Sequence, residues 1–191
     1  MDSDKGKAPC SHSTPNAPPN DVRIEARAVQ SFLVQVFRHL GLPAGDARIA
    51  AGVLLLADLR GIESHGANNL HQYIEPLRSG RANPTPRITV SRETPTTALV
   101  DGDGGLGLVV GVKAMEICLA RARDQGLAAV TVRRSKHFGI AGYYAMMALP
   151  QDMIGLSMTN NSGVGVVPTF GVEAMLSSNP ISVAVPAGRE P

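Results

Sequence analysis

The chain has no tryptophan, only three tyrosines and only four phenylalanines. So few ring faces exclude the stacking platforms on which single-stranded nucleic acids are read. Charge of one sign is also lacking: 18 Lys and Arg against 16 Asp and Glu leave a net charge of +2. The basic residues are scattered rather than striped, so no nucleic-acid partner is expected. Two cysteines, Cys10 and Cys118, cannot build a disulfide framework, and a reducing, cytoplasmic setting is the expectation. No apolar run approaches the ~18 residues of a membrane helix, and no signal-type hydrophobic segment follows Met1, so no membrane partner is expected. Metal-ligand spacing of Cys, His, Asp and Glu is absent, which gives no metal site. What is there suits a soluble globular chain: 43% apolar and 18% charged over 191 residues, enough to bury a sizeable core.

Three segments follow from the patterning. Residues 1–20, MDSDKGKAPCSHSTPNAPPN, are rich in Pro, Ser and Asn and read as a disordered tail. Residues 21–80 read as a helical N-terminal segment. A first helix runs from an Asp21 cap, with Val29, Phe32, Leu33, Val36, Phe37 and Leu40 at helical spacing, to a stop at Gly41 and Pro43. A second is expected over 43–60 and a third over 68–77, ending at Ser79-Gly80. Residues 81–191 have the texture of an α/β domain. Short strands are expected over 87–91 and 97–100, then a helix over 109–125 stopped by Gly126. A buried strand over 127–133, a helix over 140–149 and strands over 153–159 and 181–187 complete it. A glycine-rich loop separates the last two strands, and loops of that length in compact domains tend to carry function. The sequence stops straight after a strand, so the α/β part reads as incomplete.

Four stretches carry candidate chemistry. DGDGGLGLVVG (101–111) contains Gly102-x-Gly104-x-x-Gly107 between a strand and a helix, the setting of a dinucleotide phosphate turn. Its two aspartates would repel phosphate, and a glycine-rich turn capping a helix is the competing reading. RGIESHG (60–66) places Ser64 and His65 in a joint between helices. A histidine titrates near neutrality and can give or take a proton there; a capping serine beside a surface histidine is the structural alternative. SKHFG (135–139) follows a strand, where ligands of α/β folds gather; His137, Phe138, Gly139 and Tyr143 suggest a backbone-lined site, against a plain capping loop. Asn160 and Asn161 supply uncharged hydrogen-bonding groups, for a nicotinamide amide or simply for a turn.

Together, DLRGIESHG, DGDGGLG, KHFGIAGYY, TNN before a glycine-rich loop, and SNPISVAVPAG resemble the malate/L-lactate dehydrogenase family of NAD(P)-dependent oxidoreductases. That family includes ureidoglycolate, sulfolactate and piperideine-2-carboxylate enzymes and is unrelated to the Rossmann-type dehydrogenases. The resemblance runs from about Ile24 to the last residue and corresponds to the N-terminal half to two-thirds of family members. It implies an α/β fold in which a helical N-terminal segment precedes part of a mixed, largely antiparallel sheet with helices. It implies hydride transfer between NAD or NADP and a 2-oxo or 2-hydroxy acid, in a homodimer. His65 is implied as proton donor with Ser64 beside it, and His137 as a further catalytic group. His137, Phe138, Gly139, Tyr143, Asn160 and Asn161 are implied to line the cofactor pocket. Many members carry an arginine for the substrate carboxylate where this chain has Asn69, so Arg60 or Arg78 is the expected substitute; Arg133 and Arg134 permit contact with a 2′-phosphate. The alternative is a truncated, non-catalytic family member that binds a full-length partner through the dimer surface.

Overall fold

A computed structural model describes residues 23–160, 163 and 165–188. The expected tail over 1–20, the Asp21 cap and Asn161 lie outside them. Helix α1 (Ala26–His39) packs on α2 (Ala44–Leu59) across the turn at Gly41, whose φ of +94° is a left-handed value that glycine adopts without strain. The first helix therefore starts later than the sequence pattern suggests, because Glu25 is still extended with ψ 132°. Helix α2 buries Ala47, Ala50, Ala51, Val53, Leu54 and Ala57, mostly small side chains that let its neighbours approach closely. After α2 come two short 3-10 turns, Glu63–His65 and Ala67–Leu70, and the second continues into α3 (His71–Arg78).

Strands β1 (Thr89–Ser91) and β2 (Thr97–Asp101) pair antiparallel. Helix α4 (Gly107–Gln125) then crosses over to β3 (Ala129–Arg133), which lies parallel to β2 with Thr97 opposite Ala129 and Asp101 opposite Arg133. Gly126 caps α4 in the left-handed conformation, φ +81°. Helix α5 (Ala141–Met146) supports a separate antiparallel pair, β4 (Gly155–Met158) and β5 (Ile181–Ala184). The result is the expected mixed α/β architecture. One core cluster joins Leu33, Phe37, Val53, Leu54, Tyr73 and Leu77 of the helical part to Leu106, Leu108 and Val109 at the start of α4.

Two expectations need correcting. The strand after α4 is not buried: four of its five residues are exposed, since β2 pairs one edge and nothing among the described residues pairs the other. The helix expected over 140–149 ends at Met146. Pro150 has no N–H to donate to the Met146 carbonyl four residues back, and the chain closes instead in a 3-10 turn, Leu149–Gln151.

The β4–β5 pair is two-faced. Gly155 and Ala184 pair on the face toward α5, where a Cβ on Gly155 would lie 2.0 Å from the Ala145 carbonyl oxygen. The other face pairs Leu156 with Val183 and Met158 with Ile181, all between 52% and 69% exposed. These four side chains make an exposed apolar patch, the kind of surface on which proteins associate. The purified 191-residue chain is expected to self-associate in sedimentation velocity and to bind a hydrophobic dye. The double substitution Leu156→Thr, Val183→Thr should weaken both while changing stability by no more than about 0.5 kcal/mol per site. Unchanged association in that variant would rule this face out as its cause.

Candidate active site

The joint after α2 is wound tightly. The Ala57 carbonyl accepts the Ile62 N–H at 2.8 Å, the Ile62 carbonyl accepts the His65 N–H at 3.0 Å, and Gly61 takes φ +69°. His65 is half-buried at the end of this coil, and Ser64 Oγ lies 2.9 Å from its Nδ1. That contact fixes the rotation of the ring and leaves Nε2 for another partner. Below the joint, the Asp58 carboxylate accepts the Ala67 N–H at 2.9 Å.

His137 arrives from the α/β side. Its loop continues the register of β2 and β3 past their ends. The Gly102 N–H donates to the Arg133 carbonyl at 2.9 Å, the Gly104 N–H to the Arg134 carbonyl at 2.7 Å, and the Lys136 N–H to the Gly105 carbonyl at 3.0 Å. Phe138 stacks on Tyr144 with ring centroids 4.9 Å apart, and the Tyr144 hydroxyl donates to the Phe138 carbonyl. The two histidine rings meet at a centroid distance of 5.6 Å and an interplanar angle of 31°.

Tyr73 of α3 secures the meeting. It is 1% exposed, packs edge-on against Phe37 at 6.2 Å, and its hydroxyl lies 2.7 Å from His137 Nδ1. The Gly139 N–H points to the same nitrogen at 3.4 Å. A backbone N–H only donates, so Nδ1 is the acceptor for both groups and the neutral ring carries its hydrogen on Nε2. His137 is exposed as a residue, but the inner edge of its ring is packed against Tyr73. That burial, with the nearby His65, lowers its pKa below the ordinary histidine value. Burial raises the Tyr73 phenol, which therefore keeps its proton for the bond to Nδ1.

The glycine-rich turn serves a different purpose from phosphate binding. A Cβ on Gly107 would lie 2.2 Å from the Lys136 carbonyl oxygen and 2.6 Å from Phe138 Cβ, and one on Gly102 would lie 2.9 Å from Val110. The space in front of these glycines is filled by the protein's own chain, so they seat the His137 loop on α4. Both aspartates are also engaged. Asp101 accepts the Asp103 N–H at 3.0 Å and pairs with Arg133 at 3.0 Å and Arg134 at 3.3 Å. The Asp103 N–H, and then the two guanidinium groups, hold the Asp101 carboxyl below its usual range. Arg134 also reaches Asp103 at 3.0 Å. The two arginines proposed for a 2′-phosphate are thus already paired inside the protein.

Of the residues singled out from sequence, Ser64, His65 and His137 converge, with Phe138 and Gly139 shaping the loop that carries His137. Asn69 is buried and stands four residues before Tyr73, on the same face of the helical run. Arg60 is exposed at the end of α2, and Arg78 lines a groove with His39, Leu40 and Leu77 on the α1 side of α3. Tyr143 is half-buried, edge-on to Tyr144 at 5.6 Å. Asn160 is exposed just after β4, and no hydrogen bond among the described residues ties it to the histidines. Tyr73 and Asp58 escaped the sequence reading. The available signal was a tyrosine in the apolar row Leu70, Tyr73, Leu77, because a buried phenol needs a partner.

Two outcomes follow. Gly107→Ala must push the 136–138 loop off α4, and the expected result is a cost of at least about 1 kcal/mol in urea unfolding, at the level of core overpacking, together with loss of the His65–His137 ring contact by NMR. His137 gives a pH signature. Its folded pKa is depressed below 6.5, so below that pH the unfolded chain takes a proton that the folded chain refuses. The stabilisation is complete above about 6.5 and is lost as pH falls through the folded value. Melting scans from pH 7.5 to 5 should show a steeper loss for wild type than for His137→Gln; equal slopes would contradict the assignment.

The malate/L-lactate dehydrogenase family model matches residues 24–191. The malate dehydrogenase of Pyrococcus abyssi is 51% identical over 172 residues, covering 90% of this chain and 47% of that protein. The L-sulfolactate dehydrogenase of Methanocaldococcus jannaschii is 44% identical over 155 residues, covering 81% and 45%. The solved malate dehydrogenase of Pyrococcus horikoshii OT3 superposes with a TM-score of 0.87 at 46% identity, over 92% of this chain and 50% of that one. The chain spans about half the length of the curated relatives it matches. Its glycine-seated histidine loop, its Ser-His-Gly joint and this match over 24–191 together place the chain in the malate/L-lactate dehydrogenase family.

Proposed function

We propose that the protein is an oxidoreductase that moves a hydride between NAD(P)H and a small 2-oxo acid or its 2-hydroxy counterpart, with His65 as the proton donor and acceptor. The observation that carries this reading is the paired histidines, 5.6 Å apart, one of them neutral with its Nδ1 engaged. Reducing a carbonyl to an alcohol needs one group that donates a hydrogen bond to the oxygen and one that delivers a proton. His137, with its hydrogen on Nε2, suits the first task. His65, steadied by Ser64, suits the second. Kinship with enzymes named for malate and sulfolactate supports an acid as the substrate.

The residues present fit a nicotinamide nucleotide at its nicotinamide end. His137, Phe138 and Gly139 offer backbone beside the histidines, Tyr143 adds a ring, and the exposed Asn160 carries an amide that complements a carboxamide. When bound, the cofactor supplies or accepts the hydride. Every other demand falls on the chain. As negative charge grows on the substrate oxygen, His137 Nε2–H shares it and His65 Nε2 delivers the proton. In the reverse direction, His65 takes that proton from the alcohol. Arg60, five residues before His65 and exposed, supplies the cation for a carboxylate, and Asn69 adds a neutral amide on the Tyr73 face. The reading also includes a cytoplasmic homodimer, and the division of the chain at residues 20 and 80.

The test is NADH and NADPH oxidation with pyruvate, oxaloacetate and sulfopyruvate, comparing wild type with His65→Ala. Loss of a proton-transfer group should lower kcat by about 100-fold or more. Turnover that survives in the variant, or no turnover from a folded wild-type chain, would overturn the reading.

A further inference from the structure

We propose that Asp58, at the end of α2, is the positioning residue for His65, clamping the turn that follows the histidine, and that Gly66 is glycine to admit the Asp58 carboxylate. The proposal rests on the reading of His65 as the proton carrier.

The geometry is close. Asp58 Oδ2 accepts the Ala67 N–H at 2.9 Å, which closes the loop that begins at Leu59 and carries His65 near its far end. A Cβ built on Gly66 would lie 1.6 Å from Asp58 Oδ1, 2.3 Å from Cγ and 2.8 Å from Oδ2. The carboxylate therefore occupies the place a side chain at 66 would take. Gly66 has φ −89° and ψ −152°, an extended conformation open to any residue, so close approach and not backbone strain requires glycine there. Ala67 is the first residue of the 3-10 turn that runs into α3. Its N–H is one of the donors a helix start leaves unsatisfied, and a carboxylate at that end also meets the positive pole of the helix. Asp58 forms no ion pair among the described residues, so the hydrogen bond it accepts from Ala67 is what it contributes at this turn.

The consequence reaches both histidines. His65 is held from above by the Ser64 hydroxyl and from below by this clamp. Helix α3 itself carries Tyr73, whose hydroxyl holds His137. A single carboxylate on α2 thus sets the start of the helix that aligns one histidine and anchors the backbone next to the other. Asp58 touches neither ring and acts through the backbone.

The experiment uses the 191-residue chain with Asp58→Asn, Asp58→Ala and Gly66→Ala, read by imidazole nitrogen–proton NMR and, beside it, by kcat and KM. In Asp58→Ala the clamp is lost. His65 should show averaged ring signals, and the titration midpoint of His137 should rise, since the His65 ring no longer faces it. Tyr73 and the Gly139 N–H remain around His137 and do not account for that rise. Asp58→Asn keeps an acceptor oxygen for the Ala67 N–H and should restore the wild-type spectra. Gly66→Ala keeps the carboxylate but displaces it, and should reproduce the Asp58→Ala spectra. In turnover, Asp58→Ala and Gly66→Ala should lower kcat about tenfold or more with KM changed far less, as expected for a small misplacement of a reacting group. Wild-type histidine spectra in a folded Asp58→Ala or Gly66→Ala chain would overturn the proposal. So would an Asp58→Asn chain that behaves like Asp58→Ala. If Asp58→Ala fails to fold, the contrast between Asp58→Asn and Gly66→Ala decides it. A chain without turnover sinks the dehydrogenase reading, while the histidine spectra still decide the role of Asp58.

Discussion

One hydrogen bond, from the Tyr73 hydroxyl to His137 Nδ1 at 2.7 Å, joins the helical part of the chain to the β2–α4–β3 unit at the place where the two histidines meet. Its strength comes from its surroundings. Tyr73 is nearly inaccessible and packed on Phe37, so an unpaired phenol there would leave a buried polar group unsatisfied, at a cost of about 1–3 kcal/mol. The bond therefore constrains both partners. It fixes the rotation of α3 and it fixes the tautomer of His137. The core cluster that runs from α1 through α2 and α3 to the start of α4 keeps the two sides in register behind it.

Glycine does the complementary work of bringing backbones together. Gly107 admits the 136–138 loop to the surface of α4, Gly66 admits a carboxylate, and Gly155 admits α5 to β4. At each of these positions the argument is distance and not conformational freedom. The glycine spacing in DGDGGLG resembles a phosphate turn because both tasks need a bare backbone at the start of a helix. Here the occupant is the chain itself, and its cargo is a histidine.

Helices α2 and α4 were legible because long periodic segments declare themselves, and Gly126 declared the end of α4. The apolar spacing points to an earlier start for the first helix because Ile24 continues it, while the structure leaves residues 23–25 outside the helix. The sequence suggests a buried strand β3 because LAAVTVR is apolar but for Thr131 and Arg133. Composition, however, does not report how many neighbouring strands are present to cover it. At the site, Ser64, His65 and His137 were visible as residue types with suitable chemistry. Tyr73 was hidden in an apolar row, and Asp58 in the last turn of a helix. Both act across the fold, and nothing in local spacing reports a bond between residues 73 and 137 or between 58 and 67.

The charges near the site follow the same logic of internal use. Arg133 and Arg134 stand at the carboxyl end of a parallel strand, where an anionic ligand is expected in an α/β fold. Yet Asp101, buried at the matching end of β2, takes both, and Asp103 takes Arg134 a second time. A phosphate that took over these pairs would displace two carboxylates that are themselves tied to backbone N–H groups, Asp101 to that of Asp103 and Asp103 to that of Arg87. Displacement would strand a buried carboxylate, which costs far more than a surface contact returns. Much of the positive charge at the β2–α4 end of the unit is therefore met by its own carboxylates. On the histidine side, exposed Arg60 stands at the end of α2 and half-buried His65 follows it five residues on. In the proposed reaction, a ligand with one acidic group and one reducible oxygen would meet its complement there, with the hydrogen on His137 Nε2 turned to the oxygen.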